Sequence, residues 1–291
     1  MSDTWIAVDW GTSNLRAWRM RGADMLEART SDAGMAQLDP DGFEPALNAL
    51  CDGWLPAPVM ACGMVGSRQG WVEAPYLSAP CVPPNRVHAV CTPGVRDVYV
   101  LPGVSQDNPA DVMRGEETQI AGLLAARPNF DGVACLPGTH SKWVRISAGE
   151  IVSFQTFMTG ELFQLLAGQS VLSHSIGAAG WDDVAFAEAV DDGMSNPAKV
   201  AARLFSLRAE ALLKGLHPGQ ARARLSGLLI GQELGGARPY WLGQEVVVIG
   251  SSEVGQAYAK ALEIQGVSAL VADAEATTRA GLWAAWEHAH A

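Results

Sequence analysis

Two α/β lobes with a cleft between them are the architecture this sequence predicts, each lobe a strand meander followed by helices. Three observations carry that prediction. The chain opens with a strand–turn–strand–turn–strand unit, and a second unit of the same order starts near residue 132. Both units carry Gly-Thr in their first turn, at Gly11-Thr12 and Gly138-Thr139, 127 residues apart (138 − 11). Helix-like segments follow each meander rather than alternating with its strands, which favours two layered lobes.

Trp5 to Asp9 reads as the first strand, Asn14 to Met20 as the second, and Met25 to Thr30 as the third after the turn at Arg21-Gly22-Ala23-Asp24. Gly132 to Leu136, Lys142 to Ile146 and Ile151 to Phe157 repeat the set, with Ala148-Gly149-Glu150 as the second turn. Arg16, Trp18 and Arg19 in one unit answer to Lys142, Trp143 and Arg145 in the other, and each unit ends in a glycine, Gly34 or Gly160. Between them a Pro- and Gly-rich stretch from Pro56 to Pro109 holds apolar strands at Val59 to Cys62 and Val98 to Leu101, and a loop from Gly63 to Trp71. A helix is predicted from about Gly115 through Leu124. After the second unit come helices over Gly160 to Leu166 and Asn196 to Leu216, a short strand at Val246 to Ile249, and closing helices over Gly255 to Gln265 and Ala274 to His288.

Composition narrows the field. Of 291 residues 48% are hydrophobic and 18% charged, ample material for a core. No apolar run reaches the roughly 18 residues of a membrane helix. The first residues, Met1-Ser2-Asp3-Thr4, lack a basic signal-peptide region, so the cytoplasm is the expected address. A net charge of −11 without a basic patch argues against nucleic acid. The five cysteines have no C-x-x-C pair and read as buried, reduced thiols rather than a disulfide or zinc framework.

The chemistry centres on Asp9-Trp10-Gly11-Thr12-Ser13-Asn14. Glycine lets backbone approach a ligand closely, and successive amides with the Thr12 and Ser13 hydroxyls can cradle phosphate oxygens. Asp9, at a strand end, can hold a hydrated Mg2+. Alone, this pattern is also that of a plain hairpin turn. Its echo at Gly138-Thr139-His140-Ser141 makes a pair of phosphate turns, and Leu136 in place of Asp9 leaves one metal carboxylate. A third turn, Gly250-Ser251-Ser252, precedes Gly255. Gln256 and Ala257 replace the Lys and Ser/Thr of a P-loop, so this turn suits an adenosine or a simple strand-to-helix connection. Glu116 and Glu117 start a helix, where a carboxylate serves either the helix N-terminus or a proton-accepting role in phosphoryl transfer; only one of two adjacent helical residues can face a cleft. Asp111 is a less favoured alternative. Arg68, with Ser67, Gln69, Trp71 and Tyr76 nearby in sequence, suits binding of an acceptor carboxylate.

These segments resemble the 2-keto-3-deoxygalactonate kinases of the actin-like superfamily over essentially the full chain. The resemblance rests on residues 7–14, on Gly63-Met64-Val65-Gly66-Ser67, on Met113 to Gln119, on Leu136 to Trp143 and on Phe157 to Phe163. It implies an α/β fold of two ribonuclease-H-like lobes, with mixed sheets flanked by helices and a central ATP cleft. It implies an N-terminal lobe over 1–115 joined by the C-terminal helix 275–291, and a C-terminal lobe over 116–274. ATP with Mg2+ is the implied cofactor set and a 2-keto-3-deoxy sugar acid the implied acceptor. Gly11, Thr12, Ser13, Asn14, Gly138, Thr139, His140, Ser141, Gly250, Ser251 and Ser252 would bind ATP, with Asp9 for the metal. Ser67, Arg68, Gln69, Tyr76 and Arg114 would bind the acceptor. Alignment on the glycine of the Gly-x-Glu-Glu segment of exopolyphosphatases gives Glu117 the base position, with Glu116 as the other candidate. An exopolyphosphatase-type phosphohydrolase, a 2-keto-3-deoxygluconate-type kinase and a non-catalytic sugar sensor are the rival readings, and a homo-oligomer is compatible with all.

Overall fold

The computed structural model describes residues 4–92, 97–177, 179–250 and 252–287. The chain divides into two compact units. One comprises Met1–Asp131, Ile146–Ser153 and Ala274–Ala291, the other Gly132–Arg145 and Phe154–Asp273. Numbered along the chain, the described residues form strands β1–β14 and helices α1–α9.

In the first unit β1 (Thr4–Trp10), β2 (Leu15–Arg21) and β3 (Asp24–Ser31) make an antiparallel meander. β4 (Val59–Gly63) lies parallel to β1 on its other side, followed by β7 (Val98–Val100) and β6 (Val90–Cys91). Every residue of β4 is buried, which accounts for its unbroken apolar sequence: a central parallel strand has both faces covered. One face carries α1 (Phe43–Leu50), whose Phe43 and Leu47 pack with Ile6, Val8 and Trp10. The other face carries α9 (Ala274–Glu287), whose Leu282 and Ala285 pack with Trp5, Ala7 and Met60. β5 (Leu77–Ser78), β8 (Val104–Asp107) and β9 (Ala110–Met113) form a separate small sheet.

α2 (Glu116–Ala126) lies against α9 backbone to backbone. A Cβ on Gly122 would fall 1.9 Å from the Thr277 carbonyl oxygen, and one on Gly281 would fall 1.8 Å from that of Thr118. This contact groups α2 with the first unit, so the units divide at residue 131, whereas the sequence reading drew its line at 115. It also fixes the N-terminal turn of α2, where the two glutamates sit.

The second sheet repeats the first. β10 (Gly132–Leu136), β11 (Ser141–Ser147), β12 (Glu150–Phe157), β13 (Val246–Gly250) and β14 (Leu270–Asp273) run in the order β12-β11-β10-β13-β14, with β13 parallel to both neighbours. The corresponding order in the first unit is β3-β2-β1-β4-β7. The internal repeat read from two Gly-Thr turns is therefore a repeat of sheet topology. Helices α3 (Thr159–Gln169), α4 (Asp183–Ser195), α5 (Val200–Lys214), α6 (Pro218–Gly236), α7 (Arg238–Trp241) and α8 (Ser252–Ile264) complete this part of the chain.

The expected helix over 196–216 starts later, at Val200. Asn196 ends α4, and Pro197 opens a short 3-10 turn because proline cannot donate into a continuing helix. α1, α4, α6 and β14 were not anticipated. Of the thiols, Cys51, Cys62 and Cys135 are buried as expected, Cys81 is half-buried, and Cys91 is exposed; all five are free. No helix among the described residues is long and apolar enough to cross a membrane.

Candidate active site

The first turn is built by the ends of β1 and β2. Gly11 N–H donates to the Asn14 carbonyl at 2.9 Å, and the Thr12, Ser13 and Asn14 side chains are exposed above it. The turn is held from below by the segment after β3. Met35 N–H donates to Gly11 O and Ala36 N–H to Thr12 O, each at 3.0 Å. Gly34 makes that approach possible, since a Cβ there would lie 2.2 Å from the Ser13 carbonyl carbon.

The second turn has the same support. Glu161 N–H donates to Thr139 O at 2.9 Å, and a Cβ on Gly160 would lie 2.1 Å from Gly138 O. Gly138, Thr139 and His140 are exposed. His140 Nε2 meets the Glu161 carboxylate at 2.6 Å, a partner the sequence reading did not foresee.

Ser141 is turned the other way. Its side chain is fully buried and its hydroxyl bonds that of Tyr258 on α8 at 2.8 Å. The Tyr258 hydroxyl donates to the buried Glu233 carboxylate at 2.7 Å, which also accepts from the Trp143 indole at 2.7 Å. Ser141 thus anchors the turn instead of presenting an oxygen to a ligand, because the alternation of β11 points it inward. Burial raises the Glu233 pKa, while donors from Thr159, Tyr258, Trp143 and Ser141 oppose the rise.

The third turn adjoins the second. A Cβ on Gly250 would lie 3.2 Å from the Gly255 Cα and 3.6 Å from Pro137, so the Gly250–Gly255 spacing reflects close packing of α8 on β13. Ser252 heads α8; Ser251 lies outside the described residues.

Asp9 stands opposite Arg16 in the β1–β2 register, and Arg16 Nη1 donates to Asp9 Oδ2 at 3.1 Å. Burial raises the Asp9 pKa, Arg16 lowers it, and the charges of Glu116 and Glu275 raise it again. Gly63, at φ +93°, ends β4 beside this carboxylate: a Cβ there would lie 2.7 Å from Trp10 O and 3.4 Å from Asp9 Oδ1. Gly115, at φ +108°, comes within 3.5 Å of Gly63 by the same measure and turns its N–H toward Glu117. That N–H donates to both Glu117 oxygens, at 2.8 and 2.7 Å, while Arg114 N–H donates to Glu116 at 3.0 Å. Glu117 is wholly buried and Glu116 only partly so. Burial, then the neighbouring Glu116 charge, pushes the Glu117 carboxyl up to about 7. Asp9 is an oxygen donor of the kind a hard divalent cation takes, and the missing Cβ of Gly63 leaves space beside its Oδ1.

The loop after β4 folds on itself. Gly70 N–H donates to Ser67 O and Trp71 N–H to Val65 O, each at 2.9 Å, and Ala74 N–H donates to Gly66 O at 3.0 Å. Arg68 and Gln69 project into solvent from its tip, whereas Ser67 is buried. Arg114 lies inside the fold, its guanidinium 4.4 Å over the Tyr76 ring and its Nη2 donating to Ala74 O at 2.9 Å. Of the two arginines expected at the acceptor, Arg68 is exposed and Arg114 packs against Tyr76. Arg16, Glu161, Glu233 and Tyr258 lay outside the predicted site. The recurrence of basic and aromatic residues after both turns was the available signal for Arg16 and for the Trp143 position.

Comparison with known proteins matches nearly the whole chain to one family. Residues 9–285 match the family model of 2-keto-3-deoxy-galactonokinase. A protein of Rhizobium meliloti (strain 1021) named as the 2-dehydro-3-deoxygalactonokinase DgoK1 is 42% identical, with 96% of this chain and 95% of that one covered. The 2-dehydro-3-deoxygalactonokinase of Escherichia coli (strain K12) is 34% identical over 97% of both chains. A crystal structure described as a 2-dehydro-3-deoxygalactonokinase from Sinorhizobium meliloti superposes with a TM-score of 0.92 at 41% identity, covering 98% and 99% of the two chains. The fold alone is shared with component A of the (R)-2-hydroxyglutaryl-CoA dehydratase of Acidaminococcus fermentans, at a TM-score of 0.59 and 14% identity over 99% of each chain. The expected two-lobed, actin-like α/β fold is borne out.

Proposed function

The chain belongs to the 2-keto-3-deoxy-galactonokinase family, and from there we propose that it transfers the γ-phosphate of ATP to the 6-hydroxyl of 2-dehydro-3-deoxy-D-galactonate. The observation that carries the chemistry is the pair at the start of α2. Two adjacent carboxylates differ in environment, and the buried one, Glu117, has a pKa of about 7. A base is most useful when its pKa lies near the working pH. Glu117 takes the proton of the 6-hydroxyl as its oxygen attacks the γ-phosphorus and the bond to ADP breaks. Burial, with the Glu116 charge adding to it, keeps Glu117 basic.

In the first unit Gly11, Thr12, Ser13 and Asn14, and in the second Gly138, Thr139 and His140, are the groups we assign to the phosphate oxygens, with amides and hydroxyls stabilising charge on the transferring group. Glu161 orients His140 for that role. Gly250 and the start of α8 are assigned to the adenosine. Asp9 would hold the divalent ion, Mg2+ in this reading, which neutralises charge on the β- and γ-phosphates when bound. Arg16 holds Asp9 in place. Reaction with ATP suits the cytoplasm. The family match favours acceptor phosphorylation over the phosphohydrolase alternative.

The test is purified protein with Mg-ATP and a panel of 2-keto-3-deoxy sugar acids, products identified by mass spectrometry. Phosphorylated 2-dehydro-3-deoxygalactonate should dominate. ADP released without acceptor phosphorylation would overturn the proposal.

A further inference from the structure

Three polar groups beside the Gly63–Trp71 loop lie buried without a hydrogen-bond partner: Arg114 Nε, Arg114 Nη1 and the Ser67 hydroxyl. Buried donors in folded proteins are nearly always satisfied, so two orphan nitrogens on one guanidinium, packed against the residue before Ser67, mark a place where a ligand can supply the oxygens. The surroundings are shaped to hold this arginine. A Cβ on Gly66 would lie 2.8 Å from Arg114 Nη1, and a Cβ on Gly103 would lie 2.7 Å from the Tyr76 ring. Two glycines therefore make room for a guanidinium and for the ring stacked on it. One nitrogen, Nη2, is fixed to the Ala74 carbonyl, which orients the group and leaves the others for a ligand.

We propose that Arg114, Ser67 and Tyr76 form the subsite for the 2-oxo-carboxylate end of the acceptor. The inference rests on the kinase reading above and assigns which end of the sugar acid is read, and by what. An always-charged planar guanidinium suits carboxylate oxygens, and the Ser67 hydroxyl can donate to the adjacent keto oxygen. The Tyr76 ring, 41% exposed, covers the guanidinium, so the ligand enters by displacing the ring outward. Arg114 immediately precedes Gly115, whose N–H holds Glu117, so the subsite and the base are joined through one peptide.

The decisive variant is Ser67→Ala. An unpaired buried hydroxyl costs stability, so the free protein should melt at the same or a higher temperature. Yet the KM for 2-dehydro-3-deoxygalactonate should rise by about tenfold, the worth of one hydrogen bond, with the KM for ATP unchanged. Arg114→Lys should raise the acceptor KM by about 10- to 100-fold. Calorimetric titration of the full-length protein with 2-oxobutanoate, without ATP, should show binding that Ser67→Ala weakens and Arg114→Lys abolishes. That arm reads the subsite even if no acceptor is phosphorylated, which separates its failure from failure of the kinase reading. If Ser67→Ala lowers the melting temperature and leaves acceptor KM alone, the hydroxyl is structural and the proposal falls. It falls equally if Arg68→Ala raises the acceptor KM and Arg114→Lys does not.

Discussion

Replacing Glu117 with Gln removes an ionisation from a carboxyl that the fold has taken fully out of water. Its pKa rises from an ordinary 4.5 to about 7, through burial first and then the charge of Glu116, opposed by the backbone donors and Arg114. At 1.36 kcal/mol per pKa unit this rise corresponds to about 3 kcal/mol between the two protonation states. The sign follows from linkage. A carboxyl raised on folding leaves the folded state fully stable below pH 4.5, and stability is lost as pH climbs through about 7. Glutamine imitates the neutral form and keeps an acceptor for Gly115 N–H. The variant should therefore gain little at pH 5 and about 2–3 kcal/mol at pH 9, seen by calorimetry as a rise of about 4–10 °C in the transition of the first unit. Activity should move the other way. With the base gone, kcat should drop about 10²- to 10⁴-fold, and the limb of kcat/KM that rises through pH 7 should disappear. Near-normal turnover with the pH limb intact would show that Glu117 only caps α2. A stability gain equal at pH 5 and 9 would show that its proton does not differ between folded and unfolded chain.

Gly160→Ala should loosen the second phosphate turn, since the new Cβ would meet Gly138 O at 2.1 Å. A loss of about 1–3 kcal/mol in denaturant unfolding, with an ATP KM raised more than the acceptor KM, is expected; an unaltered ATP KM would remove Gly138 and Thr139 from the nucleotide site. Glu233→Ala strips the acceptor from the buried Trp143 indole and Tyr258 hydroxyl and should cost about 2–5 kcal/mol, with Glu233→Gln milder. Loss below 1 kcal/mol, roughly the worth of a single ordinary hydrogen bond, would mean that this network carries no weight.

Much of the first sheet was legible because its signals are local. β1, β2 and β3 are short apolar or alternating runs separated by glycine turns, and β4 is a buried apolar run. α6 was not legible. Eleven of its nineteen residues are buried, so it has no polar face to set a helical period, and its glycines are poor helix formers. Those glycines exist for α4: a Cβ on Gly231 would lie 2.2 Å from Val190 O and one on Gly227 would lie 2.5 Å from Phe186 O. A long-range contact explains them and no local rule could.

For the site, chain order alone marked Asp9, Gly11 to Asn14, Gly138 to His140 and the Glu116-Glu117 pair, because turn chemistry and carboxylates advertise themselves by residue type. Which face each residue presents was decided by packing. Ser141 turns inward to Tyr258, and Arg68 points to solvent while Arg114 lies under Tyr76. One of two adjacent glutamates is sealed and lifted to about pH 7. Residue order alone carries the repeat and the kind of chemistry its turns could support. Tertiary structure decided which carboxylate is dehydrated and which arginine is left with donors to spare, because burial and orphaned hydrogen bonds are properties of neighbours brought together from distant parts of the chain.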